Sequence, residues 1–120
     1  MAEDEEVKVE TATEEKPKKK VNGAEPAVTM ALRKPIQANG EEVSELNFRE
    51  PTGGDIERAG NPVVLDLFTG ENPKITFDEK KMTAMMGLLA VVPPSSIRQL
   101  HPKDWNSIAW QLVHFFTPDL

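Results

Sequence analysis

The first stretch of the chain that carries regular hydrophobic patterning predicts two β-strands. Large apolar residues stand at every second position, with Val28, Met30 and Leu32 in the first strand and Leu46 and Phe48 in the second. This period of two is typical of half-buried strands. Asn39-Gly40 lies between them and tolerates positive φ, so the pattern predicts a β-hairpin over residues 28–50.

Two details of this hairpin predict an irregular structure. Val43 is out of phase with Leu46, so we expect a bulge or longer loop near Glu42 and a turn of more than two residues. Pro35 lacks an N–H, so the first strand is an edge strand or ends near Lys34. A lone hairpin is marginally stable and must pack on helices or on another protein.

Helical signals follow at about residues 53–59, 79–91, 95–100 and 103–116. Thr52 and Asp78 are N-cap candidates, and Gly60-Asn61-Pro62 ends the first helix. The apolar stripes of the two longer helices are Met82, Met85, Met86 and Leu89, and then Trp105, Ile108, Ala109, Leu112 and Phe116.

The apolar run at residues 63–68 is compatible with a strand or with a helical turn, because periodicity does not arbitrate at this length. Ile75 and Phe77 alternate like a short extended segment. The structure of residues 62–73 therefore stays open at the level of sequence.

Composition adds an N-terminal tail to this picture. Residues 1–27 contain eight acidic residues and five lysines, with few large apolar residues, so ordering them would not be offset by burial. The fold class that we predict is α+β: a small domain over residues 28–120, with an N-terminal β-hairpin packed on a short helix and a C-terminal helical bundle, preceded by a disordered acidic tail.

Charge and cysteine content narrow the class of protein. The chain has 120 residues, a net charge of -6 and no cysteine, which excludes a disulfide framework and a thiolate metal site. The triplet Lys18 to Lys20 could contact phosphates, but the surrounding acids favour a solvated tail and no nucleic-acid partner. Neither a signal peptide nor an apolar run of about 18 residues is present, so we expect no membrane partner.

Candidate chemistry is weak. Gly53-Gly54 fits neither the Walker pattern GxxxxGK[ST] nor the dinucleotide-binding pattern GxGxxG. Asp55 would also repel a phosphate. His101 and Asp104 lack further metal ligands at suitable spacing, which favours a solvent-facing histidine. Glu50 and Asp55 could be paired as acid and base only in a pocket that shifts their pKa values, for which this small domain has little room. We therefore predict no catalytic residue, no metal and no cofactor.

Partner binding is the more promising class. Trp110 lies about 140° around its helix from Trp105, off the apolar stripe, and Leu88 is similarly placed on its own helix. Clustered methionines suit an adaptable surface, although their spacing favours the core. The candidate partner-binding residues are Leu88, Trp110, Phe115, Met85 and Met86.

Two segments, "LRKPIQANGEEVSELNFREPTGGDI" and "LHPKDWNSIAWQLVHFF", resemble the tail assembly chaperone family of contractile-tailed, Mu-like bacteriophages. That family has an Arg-Glu-Pro-Thr-x-Gly-Asp junction after its hairpin. The residues that match this junction are Arg49, Glu50, Pro51, Thr52, Gly54 and Asp55. In the C-terminal helices of the family pattern, the matching residues are Leu100, Asp104 and Phe116. The longer acidic tail and the helix stop at Gly60-Asn61-Pro62 depart from the family pattern.

The resemblance implies a non-catalytic protein of the host cell cytoplasm that is absent from the mature virion. Such proteins bind the long, helical tape-measure protein, keep it soluble and support tail-tube assembly. The family also implies a longer form made by ribosomal frameshifting, here near the Phe115-Phe116 codons, with this chain as the short form. The longer form and self-association are further expected partners. The alternative is a small tail or baseplate connector that is retained in the virion.

Overall fold

The computed structural model describes residues 25–68 and 70–118. Their elements are β1 (Val28–Ala38), β2 (Glu41–Phe48), α1 (Gly53–Ala59), β3 (Val63–Asp66), β4 (Lys74–Phe77), α2 (Glu79–Ala90), α3 (Pro94–Ile97) and α4 (Pro102–Leu112), followed by a 3₁₀ turn (Val113–Phe115). The α+β class is confirmed. Of the predicted tail at residues 1–27, residues 1–24 lie outside the described residues.

The first hairpin closes with a two-residue turn. Asn39 and Gly40 have φ of 54° and 82°, and Ala38 pairs directly with Glu41. The expectation of a longer turn was wrong. The irregularity lies in β1, where the pairing shifts between Ala31 and Ile36.

This register shift has a physical cause in the sequence of β1. Pro35 lies within the shifted segment and has no N–H to contribute to the ladder. The shift also accounts for the change of phase that β2 shows, because Val43 pairs with buried Ile36 whereas Leu46 pairs with Met30. β1 therefore continues past the proline as an edge strand.

A second β-hairpin, formed by β3 and β4, occupies the middle of the chain. β3 and β4 are antiparallel, in register from Val63 opposite Phe77 to Asp66 opposite Lys74. The apolar run after Pro62 is thus a strand, and Ile75 and Phe77 lie in its partner, β4. The two hairpins form separate two-stranded sheets.

The core lies where the first hairpin meets α2, α3 and α4. Its fully buried members include Phe48, Met82, Met85, Met86, Leu89, Ile97, Ile108 and Leu112. The stripe expected on α2 is therefore the face that packs inward. Asp78 caps this helix as expected, accepting from the Lys81 N–H at 3.0 Å.

The end of α2 is unusually tight. Val91 adopts a left-handed conformation with φ of 60°, and the Gly87 carbonyl accepts from the Val92 N–H at 3.0 Å. A Cβ on Gly87 would lie 2.8 Å from the Val92 carbonyl oxygen. Only glycine fits this approach without a shift of the backbone.

The C-terminal helices are shorter than their sequence patterns indicated. α3 has four residues and ends at Ile97, and α4 ends at Leu112 instead of continuing to residue 116. His101 was expected to face solvent, but it is half-buried and caps α4, with its Nδ1 accepting from the Lys103 N–H at 3.1 Å. None of the helices in the described ranges has the length and apolar character that a membrane crossing requires.

Candidate functional site

The charged junction between β2 and α1 is built around an ion pair whose carboxylate is buried. The two terminal guanidinium nitrogens of Arg49, Nη1 and Nη2, donate to the two carboxylate oxygens of Asp55, both at 2.8 Å. The Thr52 backbone N–H also donates to Asp55, at 2.8 Å, which completes the start of α1. Hydrogen bonding by Arg49 holds the pKa of the Asp55 carboxyl well below its usual range, against the opposing effect of burial.

Arg49 also connects this junction to the core helix. Its backbone N–H donates to the Leu89 carbonyl at 3.1 Å, which satisfies one of the carbonyls left open at the end of α2. The junction thus fixes β2, α1 and α2 relative to one another. Since both Asp55 oxygens accept hydrogen bonds and Glu50 is exposed, this arrangement is a structural joint rather than an acid-base pair.

A second buried carboxylate holds the irregular part of β1. Asp104, 3 % exposed, accepts from the Arg33 backbone N–H at 2.9 Å and from the Arg33 Nε at 3.2 Å. Farther along β1, the Gln37 N–H donates to the Gln99 side chain at 2.8 Å, and that side chain donates back to the Gln37 carbonyl at 3.2 Å. Backbone groups along this edge of β1 therefore bond to side chains of the C-terminal half.

The two residues considered as metal ligands, His101 and Asp104, both make hydrogen bonds within the fold. His101 caps α4 and Asp104 binds the backbone of β1. In residues 25–68 and 70–118, no group of three or more His, Asp or Glu side chains is arranged to hold a metal ion.

An apolar groove lies between the second hairpin and the end of α4, and we call it the hairpin groove. Its volume is about 390 Å³. It is lined by Leu65, Leu67, Pro73, Ile75, Trp110, Val113, His114, Thr117 and Pro118. Among these described residues none is acidic and none is lysine or arginine, so the lining is suited to apolar ligands.

Trp110 forms the aromatic wall of the hairpin groove, and neighbouring aromatic rings hold its orientation. Trp110 is 53 % exposed, and its ring meets that of Phe77 edge to face, with centroids 4.9 Å apart and an interplanar angle of 70°. Phe77 also contacts Trp105, whose indole N–H donates to the Thr83 hydroxyl at 3.0 Å. A half-exposed tryptophan held in one orientation is a typical interface anchor.

A second cleft, of about 460 Å³, lies on the other side of Phe77, between the start of α2 and α3. Glu79, Arg98 and Asn106 are among its lining residues. Its mixed polar lining matches an apolar partner less well than the hairpin groove does.

The structure separates the residues that sequence grouped as partner-binding candidates. Only Trp110 lines the hairpin groove. Phe115 is 37 % exposed and follows the groove residue His114 without lining the groove. Leu88 is half-buried on α2, away from this lining.

Met85 and Met86 require a correction. Both side chains are 0 % exposed and pack in the core, so neither presents a surface to a partner in this conformation. The physical reason is that their helical spacing coincides with the face of α2 that packs into the core, against β2 and α3.

Sequence reasoning missed the hairpin side of the groove. Leu65 and Leu67 stand two residues apart, as do Ile75 and Phe77, and this alternation is the available signal for two short strands with a shared apolar face. The alternation of Ile75 and Phe77 was recognised as a short extended segment, but the run at residues 63–68 was left open between a strand and a helical turn, because Val63, Val64 and Leu65 are consecutive apolar residues.

The chain matches a family model over most of its length. The model of a family described as "Phage tail assembly chaperone proteins, E, or 41 or 14" matches residues 29–117. No curated protein and no solved structure matches the chain significantly.

Proposed function

Because the chain belongs to this phage tail assembly chaperone family, we propose that it binds the tape-measure protein, keeps it soluble and supports assembly of the tail tube. Membership supports the general role of a chaperone in tail assembly. The choice of partner and the place where it binds are proposals, and they rest on the character of the hairpin groove.

The single observation that carries the proposal is a groove whose described lining has no Asp, Glu, Lys or Arg and includes a half-exposed tryptophan held by its neighbours. Trp110, Leu67 and Ile75 are 53 %, 43 % and 39 % exposed. Amphipathic helices dock by laying one apolar stripe into such a groove, with anchors at helical spacing. A tape-measure protein rich in helix offers many stripes of this kind, so several copies could bind along its length.

Reversible binding is consistent with this geometry. A volume of about 390 Å³ accommodates one or two large side chains and not a long helix face. Small interfaces of this kind are weak individually and gain affinity when many copies act on one chain. A partner coated in this way can be released stepwise as the tail tube forms.

The net charge of -6 supports the solubilising part of the role. Each bound copy would add negative charge to a partner that otherwise exposes apolar surface, and charge of one sign opposes aggregation. We propose that this takes place in the host cell cytoplasm and that the protein is absent from the mature virion.

A non-catalytic role agrees with the bonding of the ionisable groups considered above. Asp55 is committed to Arg49, Asp104 to β1, and His101 to the start of α4. We propose no enzymatic activity and no cofactor for this chain.

A frameshifted longer form is a further part of the proposal. If frameshifting occurs near the Phe115-Phe116 codons, the longer form would differ from this chain at Thr117 and Pro118, which line the hairpin groove. The two products would then share the hairpin side of the groove and Trp110, and would differ at the two C-terminal lining residues. A slippery run in the DNA at these codons, with a downstream reading frame, is the expected observation.

Co-expression with the tape-measure protein of the same phage tests the proposed function. The soluble yield of the tape-measure protein should rise, and the two proteins should co-purify. An unchanged yield would contradict the proposal. Mass spectrometry of purified virions tests the proposed absence from the particle, because a structural connector would be retained and a chaperone would not.

A further inference from the structure

The two clefts on either side of Phe77 share one face of α4. Asn106 lines the second cleft, and Trp110, four residues later, lines the hairpin groove. Pro102 lines the second cleft four residues before Asn106, and Val113 lines the hairpin groove seven residues after it. Residues at these spacings lie on one side of an α-helix. The lining of the two clefts is therefore continuous along this side of α4.

Phe77 also connects the two clefts. It lines the second cleft together with Trp105, and its ring contacts that of Trp110 in the hairpin groove. The centroid of the Phe77 ring lies 6.3 Å from that of Trp105 and 4.9 Å from that of Trp110. The two tryptophan rings are therefore no farther apart than the sum of these distances, about 11 Å. Side chains seven residues apart on one helix are separated by about 10.5 Å along its axis, so a single helix can reach both clefts.

The second cleft differs from the hairpin groove because its lining carries charge. Ile97 and Leu100, which are buried, form an apolar part of this lining. Glu79, at the start of α2, and Arg98, which follows α3, also line the cleft and are exposed. Neither of these two side chains has an ion-pair partner among residues 25–68 and 70–118. The second cleft thus combines an apolar lining with one acidic and one basic group that are open to a partner.

We propose that the two clefts form one continuous docking surface for an amphipathic helix of the partner protein. One large apolar side chain of the helix enters the hairpin groove. A second apolar side chain, about seven residues away, enters the second cleft. It is flanked by an acidic residue that pairs with Arg98 and a basic residue that pairs with Glu79. This assignment rests on the proposed function, which makes the tape-measure protein the source of the helix.

The length of this surface suits a partner helix of about three turns. From Pro102 to Val113 the backbone of α4 and its C-cap rises about 16 Å. The hairpin groove alone accommodates one or two large side chains, and the second cleft, with a volume of about 460 Å³, has room for another. Continuation of the contact into the second cleft therefore enlarges an interface that would otherwise be small.

The charges of the second cleft determine which helices the surface favours. An apolar stripe is common to all amphipathic helices, so the hairpin groove by itself discriminates little between them. Arg98 and Glu79 favour a helix that carries the complementary charges. A helix with the reverse arrangement would place like charges together and would be rejected.

Mapping of crosslinks tests whether one helix occupies both clefts. A benzophenone side chain replaces Asn106 in one full-length variant and Trp110 in another, each co-expressed with the tape-measure protein of the same phage. Both positions should crosslink. Mass spectrometry of the digested products should place each attachment point from position 106 within about two helical turns of one from position 110 on the tape-measure chain.

The outcomes separate this docking surface from the proposed function. Crosslinking at position 110 with none at position 106, or attachment points in unrelated segments, would overturn the two-cleft surface and leave the proposed function standing. The absence of crosslinks at both positions would contradict both.

Arg98→Glu tests the charge pairing, with a synthetic peptide that spans the mapped attachment points as the probe. Binding measured by fluorescence anisotropy should weaken by about three- to tenfold at low salt, and by less at high salt, because salt screens exposed charges. Lys34→Glu is the matched control, since it makes the same charge change at an exposed residue of β1 that lines neither cleft. The control should bind like the wild type. Equal binding by the two variants would overturn the charge pairing.

Discussion

Arg49 and Asp55 face each other across the turn from β2 to α1, joined by two parallel hydrogen bonds of 2.8 Å. The Asp55 side chain is 1 % exposed and that of Arg49 is 18 % exposed. Because Asp55 is buried and Arg49 is mostly buried, the pair stabilises the junction more strongly than a surface ion pair would.

Replacement of Asp55 by Asn should lower the free energy of unfolding by about 3 kcal/mol, because the Arg49 charge, on a side chain that is only 18 % exposed, loses its counter-charge. Chemical denaturation measures the change. Arg58→Gln is the control, since Arg58 approaches Asp55 at 3.4 Å but is 68 % exposed. Its effect should stay below about 1 kcal/mol. Equal effects of the two substitutions would contradict this account of the junction.

The same carboxylate should give stability a defined acid dependence. The pKa of Asp55 is lowered below its ordinary value of 3.8 in the folded protein, so its contribution is complete above that value and is lost as the pH falls through the folded pKa. The stability difference between wild type and Asp55→Asn should be constant from about pH 7 to 5 and shrink in stronger acid. Denaturant titrations at several pH values measure it. A difference that shrinks near neutral pH would refute the assignment.

The sequence allowed the local role of this junction to be predicted, but not its burial. Thr52 followed three residues later by Asp55 is a helix-start signal, and α1 occupies the predicted range Gly53–Ala59. An aspartate at that position is usually solvated. The burial of Asp55 depends on α2, where the Leu89 carbonyl accepts a hydrogen bond from the Arg49 N–H. A contact between residues this far apart in sequence leaves no periodic signal.

Asp104→Ala should destabilise the protein by about 2 kcal/mol, because the backbone N–H of Arg33 loses its acceptor at a partly buried position. Hydrogen exchange should show faster exchange of the Arg33 amide in the variant. Gln99→Ala removes a similar bond at an exposed position and should cost less than about 1 kcal/mol. Unchanged exchange at Arg33 in Asp104→Ala would show that the carboxylate does not hold β1.

Gly87→Ala should lower stability by at least about 1 kcal/mol, although alanine is the better helix former. The added Cβ would lie 2.8 Å from the Val92 carbonyl oxygen. Gly53→Ala is the control, because nothing lies within 4 Å of a Cβ at that position. That substitution should be neutral or stabilising by up to about 1 kcal/mol. Thermal unfolding of both variants distinguishes the contact from helix propensity.

The hairpin groove shows where sequence patterns reach their limit. Trp110 was found because it lies off its helix stripe, and it does line the groove. The opposite wall comes from strands of four residues, which are too short for periodicity to identify. Their pairing brings Leu65 and Ile75 together opposite Trp110, and no local pattern specifies that arrangement.

Site-specific photocrosslinking tests the central claim, that the hairpin groove binds the tape-measure protein. A benzophenone side chain would replace Trp110 in one variant and the exposed Glu45 of β2 in a control, each co-expressed with the tape-measure protein. Irradiation should join the tape-measure protein to position 110 and leave position 45 unlinked. Crosslinking at position 45 with none at position 110 would contradict the assignment of the groove as the docking surface.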